Sequence, residues 1–548
     1  MTGKQGSTAD ETAIPVVDMR RPRWGDPARV TELPAAAAAL AGDATEDRGV
    51  APEAVTPPAQ TVPSAVRADL EALVGTEHVV GSDDARIQHT RGYSTPDLLR
   101  LRIGDASDAP DLVVYPADHD EVVRILQICA AAKVAVVPFT GGTSVVGGLA
   151  PDRAGFDGVV SLDLRRLDRL VEIDEISRVA TLEAGLRGSA AEALLRERGW
   201  TLGHFPQSYE GAGIGGYAAT RSAGQSSAGY GRFDEMVEGL VLATPRGTVE
   251  LGTAPRSAAG PDLRQLILGS EGAFGVITSV RLRVRPAPAT RLFDGWRFDS
   301  FADGATALRR LAQDGPLPTV IRLSDEVETA INLADPAQLG GESTGCLVVT
   351  GYEGEEREVL RRRDAASEVL VDAGGTALGT GPGESWRTGR FAGPYLRDPL
   401  LDAGVLVETL ETVTYWSKLH ELRASVTAAI TDTLTGAGSG ASGPNVTASG
   451  TPPLVMCHIS HVYSSGASLY FTVVAPFGAD PIAEWAAAKT AANAAIRATG
   501  ASITHHHAIG RDHRDAYHDE IGPLALEALR AVKATVDPDG VCNPGILI

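Results

Sequence analysis

The sequence predicts an α+β fold in two main bodies, on three observations. Between residues 106 and 288 strand-like and helical segments alternate, but several strand pairs are joined by tight turns and read as hairpins, not as the crossovers of a doubly wound sheet. Beyond Pro288 the pattern changes to longer strand–helix units, which marks a second body. Segments of small residues interrupt the first body, placing glycine where a backbone must approach something closely.

Taken in order, residues 1–60 show little periodicity, with the run Ala35–Ala39 and the pair Pro57–Pro58, and read as a flexible N-terminal arm. Inside it the island Arg20–Pro27 (RRPRWGDP) carries a tryptophan suited to docking on the folded body. Residues 61–105 read as an N-terminal helical segment that opens with a helix over Ala65–Val74.

Residues 106–288 form the first body. Leu112–Tyr115 is a short apolar strand, and Asp120–Ala132 is a helix with Val122, Ile125, Leu126 and Cys129 on one face. Val134–Val137 and Gly158–Leu164 are buried strands. Leu170–Asp174 with Val179–Glu183, and Met236–Ala243 with Thr248–Leu251 around Pro245–Gly247, are hairpins. Ser189–Arg198 is a helix stopped by Gly199, and Val276–Arg285 is an alternating strand stopped by Pro286.

Residues 289–455 hold strands Thr319–Leu323 and Cys346–Gly351, the helix Glu356–Ala373, and a Gly/Ser/Pro-rich stretch over 435–453 that reads as a mobile loop. Residues 456–548 continue with strands over Leu454–Val462 and Ala467–Val474, a helix near Pro523–Val536 and a short tail.

Composition narrows the function classes. The 548 residues carry 49 Lys+Arg against 70 Asp+Glu, a net charge of −21. A surface that acidic argues against a nucleic-acid partner, because phosphate contacts need a positive face. Cys129, Cys346, Cys457 and Cys542 are scattered, without a C-x-x-C pair, and read as reduced thiols of a cytoplasmic protein. No stretch is apolar enough for a transmembrane helix, and Met1–Ala13 has no apolar leader core.

The chemistry starts at Pro138, Phe139, Thr140, Gly141, Gly142, Thr143 and Ser144, directly after a strand. Successive small residues let backbone N–H groups converge on one concavity, which suits a pyrophosphate. An ordinary glycine-rich turn has the same composition, and three further small-residue segments distinguish this chain from that case. These are Gly211–Gly216 with Gly213, Gly215 and Gly216, then Thr220, Arg221, Ser222 and Ala223, and finally Gly269–Ile277 with Glu271, Gly272, Gly275, Val276 and Ile277. Neither a Walker A loop nor a G-x-G-x-x-G fingerprint occurs there.

The set and its order resemble the FAD-binding domain of the vanillyl-alcohol oxidase / p-cresol methylhydroxylase superfamily. That resemblance implies a two-subdomain FAD-binding domain over 106–288, a substrate-binding cap with an antiparallel sheet over 289–455, and a C-terminal part over 456–548 that completes cap and site. Some relatives tether the flavin through a histidine of the first loop; here that loop has none, so non-covalent FAD is expected.

From about residue 85 onward the chain resembles the alkyldihydroxyacetonephosphate synthase (alkylglycerone-phosphate synthase) family. The matching stretches include His89-Thr-Arg-Gly, Gly203-His204-x-Pro206, Ile321-Arg322-Leu323, Leu396-Arg397-Asp398, Glu408–Thr412, Gly466–Phe471 and His505-His506-His507. The resemblance implies Tyr470 as proton donor and acceptor, with Arg322 and the imidazoles of His505, His506 and His507 in the active site; a phenol would take a proton more readily if neighbouring cations lowered its pKa. It implies Arg397 as ligand of a substrate phosphate, with Thr409 and His204 lining the site. It implies exchange of the acyl chain of 1-acyl-dihydroxyacetone phosphate for a long-chain alcohol, which is ether-lipid synthesis, and it leaves room for peripheral membrane contact and a homodimer.

The residues alone also admit quieter readings. A tyrosine in an alternating strand is usually packing, and single arginines usually make surface ion pairs. In a strand over 501–507, His505 and His507 would face one way and His506 the other, and a solvated turn would serve as well. His89, His119 and His420 read as structural.

The chain departs from the family at Thr140-Gly-Gly, at Gly213, and at His458, where arginine is expected. His458-x-x-His461 with His506 resembles part of the metal site of FAD-dependent D-2-hydroxyacid dehydrogenases. That is the basis of a second reading, an FAD-dependent D-2-hydroxyacid dehydrogenase or oxidase with a His458/His461/His506 metal; the first reading needs no metal.

Overall fold

The computed structural model describes residues 16, 17, 19–26, 29, 31–33, 49–332, 345–436 and 452–548. The alanine run 35–39 and most of the glycine-rich stretch, 437–451, lie outside them.

The first body begins with a four-stranded sheet in the order Val79–Val80, Leu112–Val114, Gly158–Asp163, Val134–Phe139. The last three run parallel. Every residue of Gly158–Asp163 is buried, as expected for a parallel strand covered on both faces. The helix His119–Ala131 lies on this layer with Val122, Ile125, Leu126 and Cys129 inward. Its first turn is capped by the Asp118 carboxylate, which accepts from the Glu121 amide at 2.9 Å.

A second sheet of five antiparallel strands follows, in the order Leu170–Asp174, Val179–Glu183, Val276–Arg283, Val237–Thr244, Gly247–Leu251. Both hairpins expected from the sequence are present in it.

The second body is built on a seven-stranded antiparallel sheet. Its order is Thr376–Gly379, Thr290–Phe298, Cys346–Gly354, Val320–Ser324, Leu454–Ile459, Gly466–Pro476, Val405–Tyr415. Helices Phe301–Asp314, Glu356–Asp372, Leu419–Thr435 and Pro481–Ala498 add their apolar stripes to the same core. The strand Val405–Tyr415 was not singled out in the sequence because its pattern is broken by Glu408, Glu411 and Thr412. All three are buried, which a polarity pattern reads as exposed.

Two segments tie the bodies together. After the helix Arg514–Val536, which kinks at Gly522 (φ 77°) ahead of Pro523, the tail returns to the first body. There the Val136 amide donates to Val541 at 2.8 Å and the Asn543 amide to Val136 at 2.9 Å, extending the parallel sheet by one bridge. The island at Arg20–Asp26 is docked, as its tryptophan suggested, so this piece of the arm is packed and not free. Trp24 is buried edge-on against Tyr93 at 5.2 Å, and its amide donates to Asp398 at 2.7 Å. Val17 and Met19 join the same small core. The four cysteines are buried and unpaired. Among the described residues no helix is long and apolar enough to cross a membrane.

Candidate active site

Tyr470 lies on the strand Gly466–Pro476, flanked in register by Glu411 on one neighbour and His458 on the other. Directly opposed residues share a face of the sheet, so these three side chains meet. The His458 ring stacks on the Tyr470 ring at 4.8 Å and 14°. His507 stands edge-on to the phenol at 5.4 Å, and His506 lies 6.1 Å away.

The histidine triplet is held by Glu411. Its carboxylate accepts from the backbone N–H groups of His505, His506 and His507 at 2.7, 3.0 and 2.8 Å, and from the Thr504 hydroxyl. Three successive amides aimed at one carboxylate are incompatible with a strand, whose N–H groups alternate in direction. Of the strand and the turn that the sequence admits, the triplet adopts the turn: a tight loop attached to the sheet through the Val413–Ser502 bridge and the Glu411 and Thr412 side chains. The loop places all three imidazoles near one another: His505 Nδ1 is 2.9 Å from His506 Nδ1, and His507 packs on His506 at 4.8 Å.

Glu411 was overlooked as a functional residue, although it sat inside a matching stretch. It is fully buried, and desolvation alone would raise its carboxyl, yet it is held well below the usual range, because the three neighbouring imidazoles, which become charged in acid, and the Thr504 hydroxyl outweigh that. A carboxylate depressed in the folded protein stabilises it above the unfolded pKa, and that stability is lost as pH falls through the folded value. Glu411→Gln keeps the shape but replaces one acceptor oxygen by an amide donor facing N–H groups. It is expected to lower stability by at least about 1.5–3 kcal/mol at pH 7, with a smaller gap in acid, in paired thermal melts.

Burial governs the titration of the other groups. The Tyr470 phenol is pushed up to about 12 by desolvation and by Glu408 and Glu411, with Arg322 and the Thr409 hydroxyl opposing only in part. The condition of a phenol lowered by neighbouring cations is therefore not met in the free protein. Desolvation also keeps the imidazoles neutral: His507 falls to about 3, and His505 and His506 lie below their ordinary value. At neutral pH the site thus offers a neutral phenol beside neutral imidazoles.

Arg322 extends from the strand Val320–Ser324 and donates to Glu328 at 2.7 Å and to His458 at 2.9 Å, which locks both beside Tyr470. Glu328, also overlooked in the sequence, is buried and held well below its usual pKa by Arg322 and His458. Arg397 sits on the helix Gly393–Asp402, where it donates through one terminal nitrogen to the Tyr93 carbonyl and lies over the Trp24 ring at 5.9 Å. Its Nε and second terminal nitrogen are buried and make no hydrogen bond within the described residues. That is one open edge of a guanidinium fork, matched to two oxygens of a phosphate.

Thr409 lies beside the phenol. His204 is deeper than expected: its ring sits between Tyr217 (4.7 Å) and Phe233 (5.0 Å), its Nε2 meets the Ser222 hydroxyl at 3.1 Å, and burial pushes it down to about 3. His89 bonds Asp163 at 2.9 Å and His119 bonds Thr278 at 2.8 Å, both as structural residues.

The glycine-rich segments converge as the flavin reading requires. A Cβ on Gly141 would meet the Gly211 carbonyl at 2.0 Å, and one on Gly213 would meet the Thr140 side chain at 2.9 Å, so the first two loops touch. Within the described residues, the backbone N–H groups of Thr140, Gly141, Gly142 and Thr143 donate to no protein group. Such consecutive free amides form an anion nest that fits a pyrophosphate. The side chains named with them serve the fold. Arg221 donates to the Leu268 and Gln265 carbonyls, and Thr220 to Gly216. Glu271 accepts from Ile509 and Gly510 just beyond the histidines, with burial raising it to about 7. Glu271 therefore joins the glycine-rich loops to the histidine loop.

The metal set drawn from the sequence changes. His458 is engaged by Arg322 and Glu328, whereas His461, His505 and His506 bring one ligand atom each within 4.8 Å of one another.

Comparison with known proteins accords with this geometry. Residues 110–252 match the FAD binding domain family and residues 287–547 the family described as FAD linked oxidases, C-terminal domain. The alkyldihydroxyacetonephosphate synthase of Dictyostelium discoideum is 32% identical over 516 residues, covering 90% of this chain and 82% of that protein. A solved alkyldihydroxyacetonephosphate synthase structure superposes with a TM-score of 0.77 at 29% identity, covering 91% of this chain and 89% of the other. The p-cresol methylhydroxylase structure, at a TM-score of 0.65 and 16% identity over 88% of this chain and 96% of the other, shares the fold. The α+β architecture with a two-sheet flavin domain and an antiparallel cap is confirmed, and FAD is the cofactor. The chain belongs to the alkyldihydroxyacetonephosphate synthase family.

Proposed function

We propose that the protein exchanges the acyl chain of 1-acyl-dihydroxyacetone phosphate for a long-chain alcohol, releasing a fatty acid and giving the alkyl ether. The observation that carries this reading, beside family membership, is the pairing of an open guanidinium edge on Arg397 with a phenol–imidazole cluster around Tyr470. One group recognises a phosphate ester; the other handles a proton next to a carbonyl.

Bound FAD supplies the electron-accepting ring, held by the amide nest at Thr140–Thr143. The chain's own residues bind, orient and move protons. Arg397 anchors the phosphate. The neutral imidazole of His507, edge-on to the phenol, is the base available at neutral pH, and the Tyr470 phenol, which stays protonated, passes the substrate's α-proton to and from it. Arg322 and Glu328 keep His458 stacked under the phenol, which fixes its direction. The ester oxygen leaves with the fatty acid and the alcohol oxygen replaces it, so no electrons leave the site.

Two assays test the reading. Acyl-dihydroxyacetone phosphate with hexadecanol should give alkyl product and free fatty acid in equal amounts. D-2-hydroxy acids with an artificial electron acceptor should give no acceptor reduction; reduction there, without alkyl product in the first assay, would establish the dehydrogenase reading instead. The flavin is proposed to be non-covalent, since the loop at Pro138–Ser144 offers neither histidine nor cysteine. Heat or acid denaturation should release intact FAD to the supernatant, and yellow colour remaining in the precipitate would contradict this.

A further inference from the structure

We propose that His461, His505 and His506 form a binding site for a zinc ion beside the catalytic phenol. Each ring offers one nitrogen, and the three lie within 4.8 Å of one another among the described residues. His461 and His505 are almost fully buried.

The outer contacts favour inward-facing ligand atoms. His461 Nδ1 meets the Ser227 hydroxyl at 2.6 Å, which leaves Nε2 as its ligand atom. His505 Nε2 meets the Tyr463 hydroxyl at 2.6 Å, which leaves Nδ1, and that nitrogen is 2.9 Å from His506 Nδ1. Metal-bound histidines characteristically engage their second nitrogen in this way, fixing tautomer and ring orientation. Two ring nitrogens converging at hydrogen-bond distance need either a shared proton or a shared cation between them.

Backbone contacts hold the rings in place. The Ser468 amide donates to the His461 carbonyl at 2.9 Å, and Glu411 fixes the loop of His505 and His506. Zn–N bonds of about 2.0–2.1 Å place tetrahedral ligands roughly 3.4 Å apart, so the widest pair closes by rotation of a ring.

Three imidazoles leave a fourth position for an exogenous oxygen. The His506 ring lies 6.1 Å from Tyr470, so that position belongs to the same site. An ion there would polarise the ketone oxygen of the substrate and acidify the α-proton; this clause rests on the synthase reading, whereas zinc binding itself does not.

The test uses the FAD-loaded full-length protein, equilibrated with Zn2+, dialysed against metal-free buffer and analysed for zinc per FAD. One equivalent is expected. His461→Gln and His505→Gln should each lose it, and Ser227→Ala should weaken it by about 10–100-fold. His458→Gln should retain it, because that ring is engaged by Arg322 and Glu328. Normal FAD content identifies the variants that are folded. Co2+ in place of Zn2+ should give tetrahedral absorption to the red of the flavin bands in the wild type and not in His461→Gln. Zinc no higher in the wild type than in His461→Gln, or lost equally in His458→Gln, overturns the site. Alkyl product formed at full rate without zinc would leave the synthase reading standing and overturn the ion's role in polarising the ketone.

Discussion

Tyr470→Phe lowers turnover by roughly 10²–10⁴-fold, the usual cost of removing a positioned acid–base group, while FAD content and melting temperature stay near wild type. The change deletes one oxygen from a ring that keeps its stacking on His458 at 4.8 Å. It also removes a buried phenol that burial holds near 12, so no ionised group is left behind. Stopped-flow turnover with acyl-dihydroxyacetone phosphate and hexadecanol measures the effect, and α-proton exchange with solvent, followed by deuterium incorporation, locates it. Exchange at the wild-type rate in the variant would take Tyr470 out of the proton path. The pH profile gives a second readout. In the proposed proton path a neutral imidazole is the base, and His507 is lowered to about 3, so the acid limb of kcat/KM should lie below the ordinary imidazole value of about 6.5. A limb at or above that value would point to an exposed, unperturbed group.

Arg397→Ala raises the concentration of phosphate substrate needed for half-saturation by roughly 30- to 5,000-fold, the equivalent of about 2–5 kcal/mol for a truncated partner of a buried charge. Two of its guanidinium nitrogens are buried without a hydrogen-bond partner among the described residues, so the fold already bears the cost of desolvating them. A phosphate recovers it. Arg397→Lys should recover little, since an ammonium cannot present two parallel N–H groups while also reaching the Tyr93 carbonyl. FAD content is the control, because the flavin nest lies on a different element. Unaltered half-saturation in a folded, FAD-loaded Arg397→Ala protein would assign the phosphate to another group.

Much of this was legible without coordinates. Period-two and period-3.6 patterns placed the hairpins of the flavin domain and the helix His119–Ala131 within a residue or two, because their apolar faces are continuous. The order of the small-residue segments and of the His, Arg and Tyr motifs pointed to FAD and to one family. Those signals are local: a glycine nest or a strand needs only neighbours in sequence.

Other features were decided by tertiary structure. Val405–Tyr415 was missed because its buried carboxylates look like surface residues until their partners are known. Glu411 became functional only when folding brought it across 94 residues to the amide of His505. The same contact turned an apparent strand into a loop and gathered three imidazoles that alternation would have set apart. A cation near the Tyr470 phenol would acidify it, yet burial outweighs Arg322 and raises it. A sequence reveals which charges are present; the fold decides which of them lose their water and which find a partner, and desolvation and pairing set the chemistry of the site.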